Sequence, residues 1–311
     1  MSGHAAGAAP ALPRADAALV LIERPDLARD DPGEALRIAD PAAPHLLVND
    51  LGVTRGDGIF EVVGAAGGRL HAMQAHLDRF SRSARLIDLA APDQEVYRAA
   101  VRRAVDTLAE RHPGAEIFCK FVMTRGLEYP PGDSEPHGWA VAMLGADHRA
   151  ERGMGIDVVT LSRGVPRAVM QQSPWLLAGA KTLSYAANRA ALREAARRGA
   201  RDALFVSSDG WVLEGPSSSL VALIGGRAVT PPASDGVLPG TTQGDVFAWF
   251  TARAVPTDTR SLRVEELVDA EALWLTSSTR LAAPIRMLDG RPVPLSPITG
   301  ELNTWLLGRD G

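Results

Sequence analysis

The sequence predicts a mixed α/β protein in which helices and hairpins are interspersed along the chain. Three observations carry that expectation. Met73, Leu77, Phe80, Ala84 and Ile87 recur at spacings of 4, 3, 4 and 3, one apolar face of a helix. Residues 202–207 and 211–213 flank an Asp209-Gly210 pair, the strongest short-range hairpin signal. Residues 183–198 are Ala-rich and run into Gly199, as a helix ending on a C′ glycine does.

In chain order, residues 1–16 are rich in Ala, Gly and Pro without an apolar period and read as a disordered tail. Residues 17–23 (AALVLIE) suit a first strand. The segment to Pro44 reads as loop, broken by Pro25, Pro32, Pro41 and Pro44, and residues 45–48 as a short strand. By spacing, Gly56-Asp57-Gly58 is a tight turn feeding a hairpin that returns through Gly67-Gly68. After the helix over 73–87 come a second amphipathic helix over 93–111 and strands over 115–123 and 139–144. Lys120 reads as an exposed strand lysine. Residues 127–137 hold three prolines and read as loop. Residues 145–155 suit an interdomain linker, which divides the chain into an N-terminal α/β domain, 17–144, and a C-terminal domain, 156–311.

The second half opens with a strand over 155–161 and a loop whose residues 165–175 reach toward a site mouth. Past the hairpin come strands at 220–224 and 227–230. Gly236-Val237-Leu238-Pro239-Gly240-Thr241-Thr242 then opens a helix. Such a start offers free N–H groups, hydroxyls and the positive dipole end to a phosphate, or is a plain N-cap; the residues leave both open. A strand over 271–276 leads into Ser277-Ser278-Thr279-Arg280.

Composition narrows the function classes. The 311 residues are 46% hydrophobic and 23% charged, ordinary for a soluble enzyme. A net charge of −4 and a pI near 6.0 argue against nucleic-acid and anionic-membrane partners. A single cysteine, Cys119, permits no intrachain disulfide and points to a reducing cytoplasm. No apolar run has transmembrane length, no signal peptide is recognisable at the start, and no metal is expected.

Of the 33 basic residues only Lys120 and Lys181 are lysine. An Arg-rich bias replaces surface lysines cheaply, but not a lysine whose amine does covalent chemistry, since guanidinium forms no Schiff base. Lys181 follows a small-residue turn, Gly179-Ala180, and Glu214 lies 33 residues on at the end of the return strand. That pair suits pyridoxal 5′-phosphate: the amine holds the aldehyde while a carboxylate keeps the pyridine nitrogen protonated.

K-T-L-S-Y-x-x-N from Lys181, D-G-x-V-x-E-G-x-S-S from Asp209, and P-P…L-P-G-T-T from Pro231 resemble the class IV aminotransferase family, the fold-type IV pyridoxal phosphate enzymes. The resemblance runs from about residue 46 to 288, with the motifs in the family's order. It implies a smaller N-terminal α/β domain, a larger C-terminal domain on a barrel-like sheet, the cofactor between them, and a homodimer whose subunits both contribute to the site. It implies that Lys181 is the Schiff-base lysine and general acid/base, and that Glu214 pairs with the ring nitrogen. Tyr185 would bond the cofactor's phenolate oxygen, and Arg79 of His76-Leu77-Asp78-Arg79-Phe80, Thr241, Thr242 and Ser278 would hold its phosphate. His76 reads as structural. Gly56-Asp57-Gly58-Ile59-Phe60-Glu61 matches the stretch that lines the substrate side, with Arg55 where the family has an aromatic.

Within the family, the D-amino acid enzymes carry an Arg-x-His pair after T-R-G. Here LEYPPGDSEPHG follows, with His137 and no arginine. Branched-chain enzymes show Gly-Thr where this chain has Ser277-Ser278. The S-S-x-R-x-A-A-P run with Arg280 is most similar to aminodeoxychorismate lyases of high-GC bacteria. The resemblance implies a small amino substrate, with Arg55, Phe60 and Arg280 on the substrate side. The expected reaction is loss of pyruvate from 4-amino-4-deoxychorismate to give 4-aminobenzoate, a step of folate biosynthesis. The alternative is transamination of D-amino or branched-chain acids with a 2-oxo acid.

Overall fold

The computed structural model describes residues 16–130 and 135–309. The tail expected at the start, Asp16 aside, lies outside the described residues, as do residues 131–134 of the expected loop.

The first half is one antiparallel sheet with two helices on one face. Its elements are β1 (Ala17–Ile22), β2 (Leu36–Ala39), a single turn α1 (Leu51–Thr54), β3 (Gly58–Ala66), β4 (Arg69–Leu70), α2 (Met73–Leu86), α3 (Gln94–Ala109), β5 (Ile117–Thr124) and β6 (His137–Leu144). The strands lie in the order β2-β1-β6-β5-β3-β4. Period-2 alternation sends Ile59, Val63, Cys119, Phe121, Ala140 and Val20 into one core with Leu77 and Phe80 of α2 and Tyr97 of α3. Phe80, Tyr97 and Phe121 meet there with ring centroids 4.8–5.8 Å apart, and each such side chain contributes about 1.5–3 kcal/mol by burial. The spacing that predicts α2 is thus the face it buries, and Asp93 caps α3 by accepting from the Val96 N–H.

The second half contributes α4 (Arg149–Met154), β7 (Ile156–Ser162), α5 (Arg167–Gln172), α6 (Ala186–Arg197), β8 (Asp202–Val206), β9 (Ser219–Ile224), β10 (Arg227–Thr230), α7 (Thr241–Thr251), β11 (Thr257–Thr259), β12 (Ala272–Ser277), β13 (Leu281–Leu288), β14 (Arg291–Pro292) and α8 (Thr299–Gly308). They build a second sheet, β11-β10-β9-β12-β13-β7-β8, with β14 on β13. Two apolar clusters flank it, one around Leu204, Leu220 and Leu273, the other joining Trp249 and Phe250 of α7 to Trp274 and Leu302.

Several sequence expectations change. Residues 45–48 form no strand and Val48 is 88% exposed; β2, in the segment read as loop, pairs with β1 instead. Leu36–Ala39 is free of proline, so its N–H groups can join the ladder. The return limb at 211–213 pairs only through isolated bridges, although Phe205 N–H donates to Glu214 O and Leu213 N–H to Phe205 O. β13 and α8 had no counterpart in the sequence reading. α6 begins at Ala186 rather than 183, because Thr182 bridges to Ile59 and Leu183 N–H donates to Gly58 O, 2.9 Å. The lysine segment is therefore held extended along the start of β3, joining the two halves of the chain.

Candidate active site

A cavity of about 550 Å³ opens where the two sheets meet, lined by Phe60, Arg79, Lys181, Tyr185, Glu214, Thr241, Thr242 and Ser278 among others. The backbone delivers the lysine there. Phe60 N–H donates to Lys181 O, 3.0 Å, and Lys181 N–H donates to Ser83 Oγ, 3.1 Å. Gly58 makes this possible, since a Cβ there would lie 2.6 Å from Met123 O and 2.8 Å from a Leu183 methyl.

Lys181 Nζ stands 4.4 Å from the Phe60 ring centroid. Burial pulls its pKa down to about 8; Arg79 and Lys120 add to the fall, and Glu61 and Glu214 oppose it. Glu214 Oε2 accepts from Leu238 N–H, 2.9 Å. Burial pushes its carboxyl up to about 7, against the pull of that hydrogen bond, Arg163 and Lys181. Such a carboxylate is poised to take a cationic partner. The Tyr185 hydroxyl donates to Pro216 O at 2.5 Å, and Asn188 Nδ2 donates to the same oxygen at 2.7 Å. Burial raises that phenol to about 12, so it donates its proton rather than losing it.

At the other end, Arg79 lies buried against Glu61, with Nε 2.6 Å from Oε1 and Nη2 2.7 Å from Oε2. Its Nη1 donates to Pro239 O, 2.9 Å. Thr241 and Thr242 are the first residues of α7, behind Gly240, where helix N–H groups stay free. Thr242 Oγ1 is buried without a hydrogen-bond partner. An orphaned hydroxyl beside a helix N-terminus and an arginine fits a phosphate, and the carboxylate at the far end fits a protonated ring nitrogen. The residues present therefore fit pyridoxal 5′-phosphate.

Other sequence-derived positions move. Arg280 is turned away from the cavity: its Nη2 lies 2.5 Å from Asp202 Oδ2 and both side chains are buried. Arg55 is exposed and paired with Glu128, Nη2 to Oε1 2.9 Å, outside the cavity lining of this chain. Lys120 is not an exposed strand lysine. Its register opposite Val62, a cavity residue, puts it on the sheet face away from α2 and α3, with Nζ 4.6 Å from the Phe60 ring centroid. Residues 165–175 do reach the mouth, where Val165 and Met170 line the cavity. Sequence reasoning missed Arg163, which stacks over Phe205 at 4.7 Å and lines the cavity. It also missed the contacts that Glu61 and His76 make beneath the cavity. Among the described residues there is no cluster of metal-ligating side chains and no helix long and apolar enough to cross a membrane.

Residues 58–288 match the family described as amino-transferase class IV. The chain is 41% identical over 272 residues to a bifunctional aminodeoxychorismate lyase / D-amino acid transaminase of Mycobacterium tuberculosis, covering 84% of this chain and 92% of that one. Among solved structures, a fold IV transaminase from Curtobacterium pusillum superposes with a TM-score of 0.88 at 48% identity, covering 94% of this chain and 99% of that chain. A hypothetical aminotransferase from Mycobacterium tuberculosis in its PLP-bound form superposes at 0.84 with 38% identity, covering 93% and 97%.

Proposed function

The chain belongs to the class IV aminotransferase family of pyridoxal 5′-phosphate enzymes, and from that footing we propose that it converts 4-amino-4-deoxychorismate to 4-aminobenzoate and pyruvate. The observation that carries this reading is the near full-length similarity to the bifunctional mycobacterial enzyme. That enzyme's printed second activity also makes D-amino acid transamination the second reading for this site.

When bound, the cofactor supplies an aldehyde to hold the substrate amine and a protonated ring that withdraws electrons from the carbon bearing it. The residues of the chain do the rest. Arg79, Thr241, Thr242 and Ser278 would hold the phosphate. Glu214 would keep the ring nitrogen protonated. Tyr185, whose hydroxyl donates to Pro216 O, would offer that proton to the phenolate oxygen, and Asn188 donates to Pro216 O as well. Lys181, its amine softened by burial to about 8, takes the proton from the substrate carbon bearing nitrogen. The enolpyruvyl group would then leave the neighbouring carbon as the enolate of pyruvate and take up the proton that Lys181 has gained, while aromatisation of the substrate ring drives the step. Arg163 makes no ion pair among the described residues and lines the cavity, so it is the cation offered to a substrate carboxylate in place of Arg280.

The lyase consumes no 2-oxo acid; a transaminase needs one to return the cofactor to its aldehyde form. Purified enzyme given aminodeoxychorismate alone should release 4-aminobenzoate and pyruvate in equal amounts. Product only from D-alanine or leucine with 2-oxoglutarate, and none from aminodeoxychorismate, would replace the lyase by the transaminase.

A further inference from the structure

Glu61, fully buried on the α2-facing side of β3, holds Arg79 with both oxygens and His76 Nδ1 at 2.8 Å. An ionised carboxylate only accepts, so Nδ1 carries a proton. The ring's other nitrogen, Nε2, then faces the cavity side, 3.2 Å from Thr241 Oγ1 and 3.2 Å from Ser278 Oγ. One hydroxyl opens α7 and the other follows β12, so a single nitrogen joins two separate walls of the phosphate cup.

Nε2 has either one lone pair or one proton. If bare, it claims the proton of one hydroxyl, and that hydroxyl turns only lone pairs toward an incoming phosphate. If protonated, it donates to a hydroxyl oxygen, and both hydroxyls keep their protons for the phosphate. The charges point the same way. Glu61 neutralises Arg79, so with His76 neutral the cup opposes a phosphate of about −1.5 to −2 with little net charge. The groups facing the ring are Glu61 from β3, Arg79 from its own helix, Lys181, and the hydroxyls of Thr241 and Ser278. Burial holds the ring's pKa below its ordinary value, with Glu61 pulling it up and Arg79 and Lys181 pushing it down. A ring held below its ordinary value is neutral near pH 7.5.

We propose that His76 is a phosphate-linked proton carrier: a dianion entering the cup draws a proton onto Nε2, and affinity for the phosphate group falls as pH rises. This rests on the phosphate reading of Arg79, Thr241, Thr242 and Ser278 given above.

The test uses the full-length chain freed of cofactor and sulfate as the probe, because sulfate remains a dianion from pH 6 to 9. Calorimetric titration in buffers of different ionisation heat counts the protons taken up. Sulfate binding by the wild type should weaken by up to about tenfold per pH unit, with up to one proton taken up per sulfate. His76→Gln replaces the ring by an amide that does not titrate, so sulfate should still bind and the slope should fall to the smaller one left by Lys181, near 8, and Glu214, near 7. Ser278→Ala should weaken sulfate at every pH and keep the slope. A flat wild-type profile, or an unchanged slope in His76→Gln, overturns the proposal. If His76→Gln does not fold, His76→Asn takes its place and is read against the wild type in the same way. Sulfate binding indifferent to both Ser278→Ala and Thr242→Ala would show that the cup itself is misplaced, a different failure.

Discussion

Glu214→Gln tests the electronic half of the site with the least disturbance to the fold. The amide is nearly isosteric, and its carbonyl can accept from Leu238 N–H as Oε2 does at 2.9 Å. What it removes is the charge. An opposite charge at close range moves a pKa by about 1–3 units, and each unit is a factor of ten in protonated fraction. The ring nitrogen of the bound cofactor should lose about 10- to 1000-fold in protonated population, and turnover should fall with it. Cofactor content should stay near stoichiometric, because the phosphate contacts lie at the other end of the cavity. The variant freed of cofactor should melt no lower than wild type at pH 8. The folded-state pKa of Glu214 is raised from 4.5 to about 7. Its contribution to stability is therefore lost as pH rises through that window, and a neutral amide escapes the loss. The assay pairs kcat with the visible spectrum and a melting curve. Full cofactor occupancy with near-normal kcat would refute the pairing of Glu214 with the ring.

Lys181→Ala should abolish turnover, and borohydride reduction of the wild-type holoenzyme should place the adduct on Lys181; an adduct on Lys120 would transfer the role. Imine formation needs the free amine, so cofactor capture by the apoenzyme should speed up with pH and level off near 8, where burial has set the amine, whereas a plateau only above pH 10 would mean an ordinary solvated lysine. Arg280→Ala should unfold more easily by about 3–5 kcal/mol, because Asp202, 1% exposed, is left as an unpaired buried charge. The kinetics of its folded fraction should change little, and a selective rise in substrate KM would return Arg280 to the substrate side.

Lys181 was legible before any fold was known. In a chain this poor in lysine, covalent chemistry is a strong reason for an amine to persist, and the motifs around it name that chemistry. The helix of Met73, Leu77 and Phe80 and the turn at Asp209-Gly210 were equally legible, because both arise from contacts a few residues apart. The mixed α/β class, and the family it resembles, followed from such local signals. Side-chain direction between distant segments was not legible. Arg280 stands in the run that most resembles the lyases, yet Asp202, 78 positions away, turns it out of the cavity. Lys120 looked exposed because the sequence does not say which sheet face the helices cover; register with Val62 decides that. The contacts of His76 with Thr241 and Ser278 could not be read, because those partners are 165 and 202 residues away. Periodicity is written by the local backbone, so the sequence shows it. Which proton each nitrogen holds depends on the groups that packing brings within 3 Å or so, and only the tertiary structure places those.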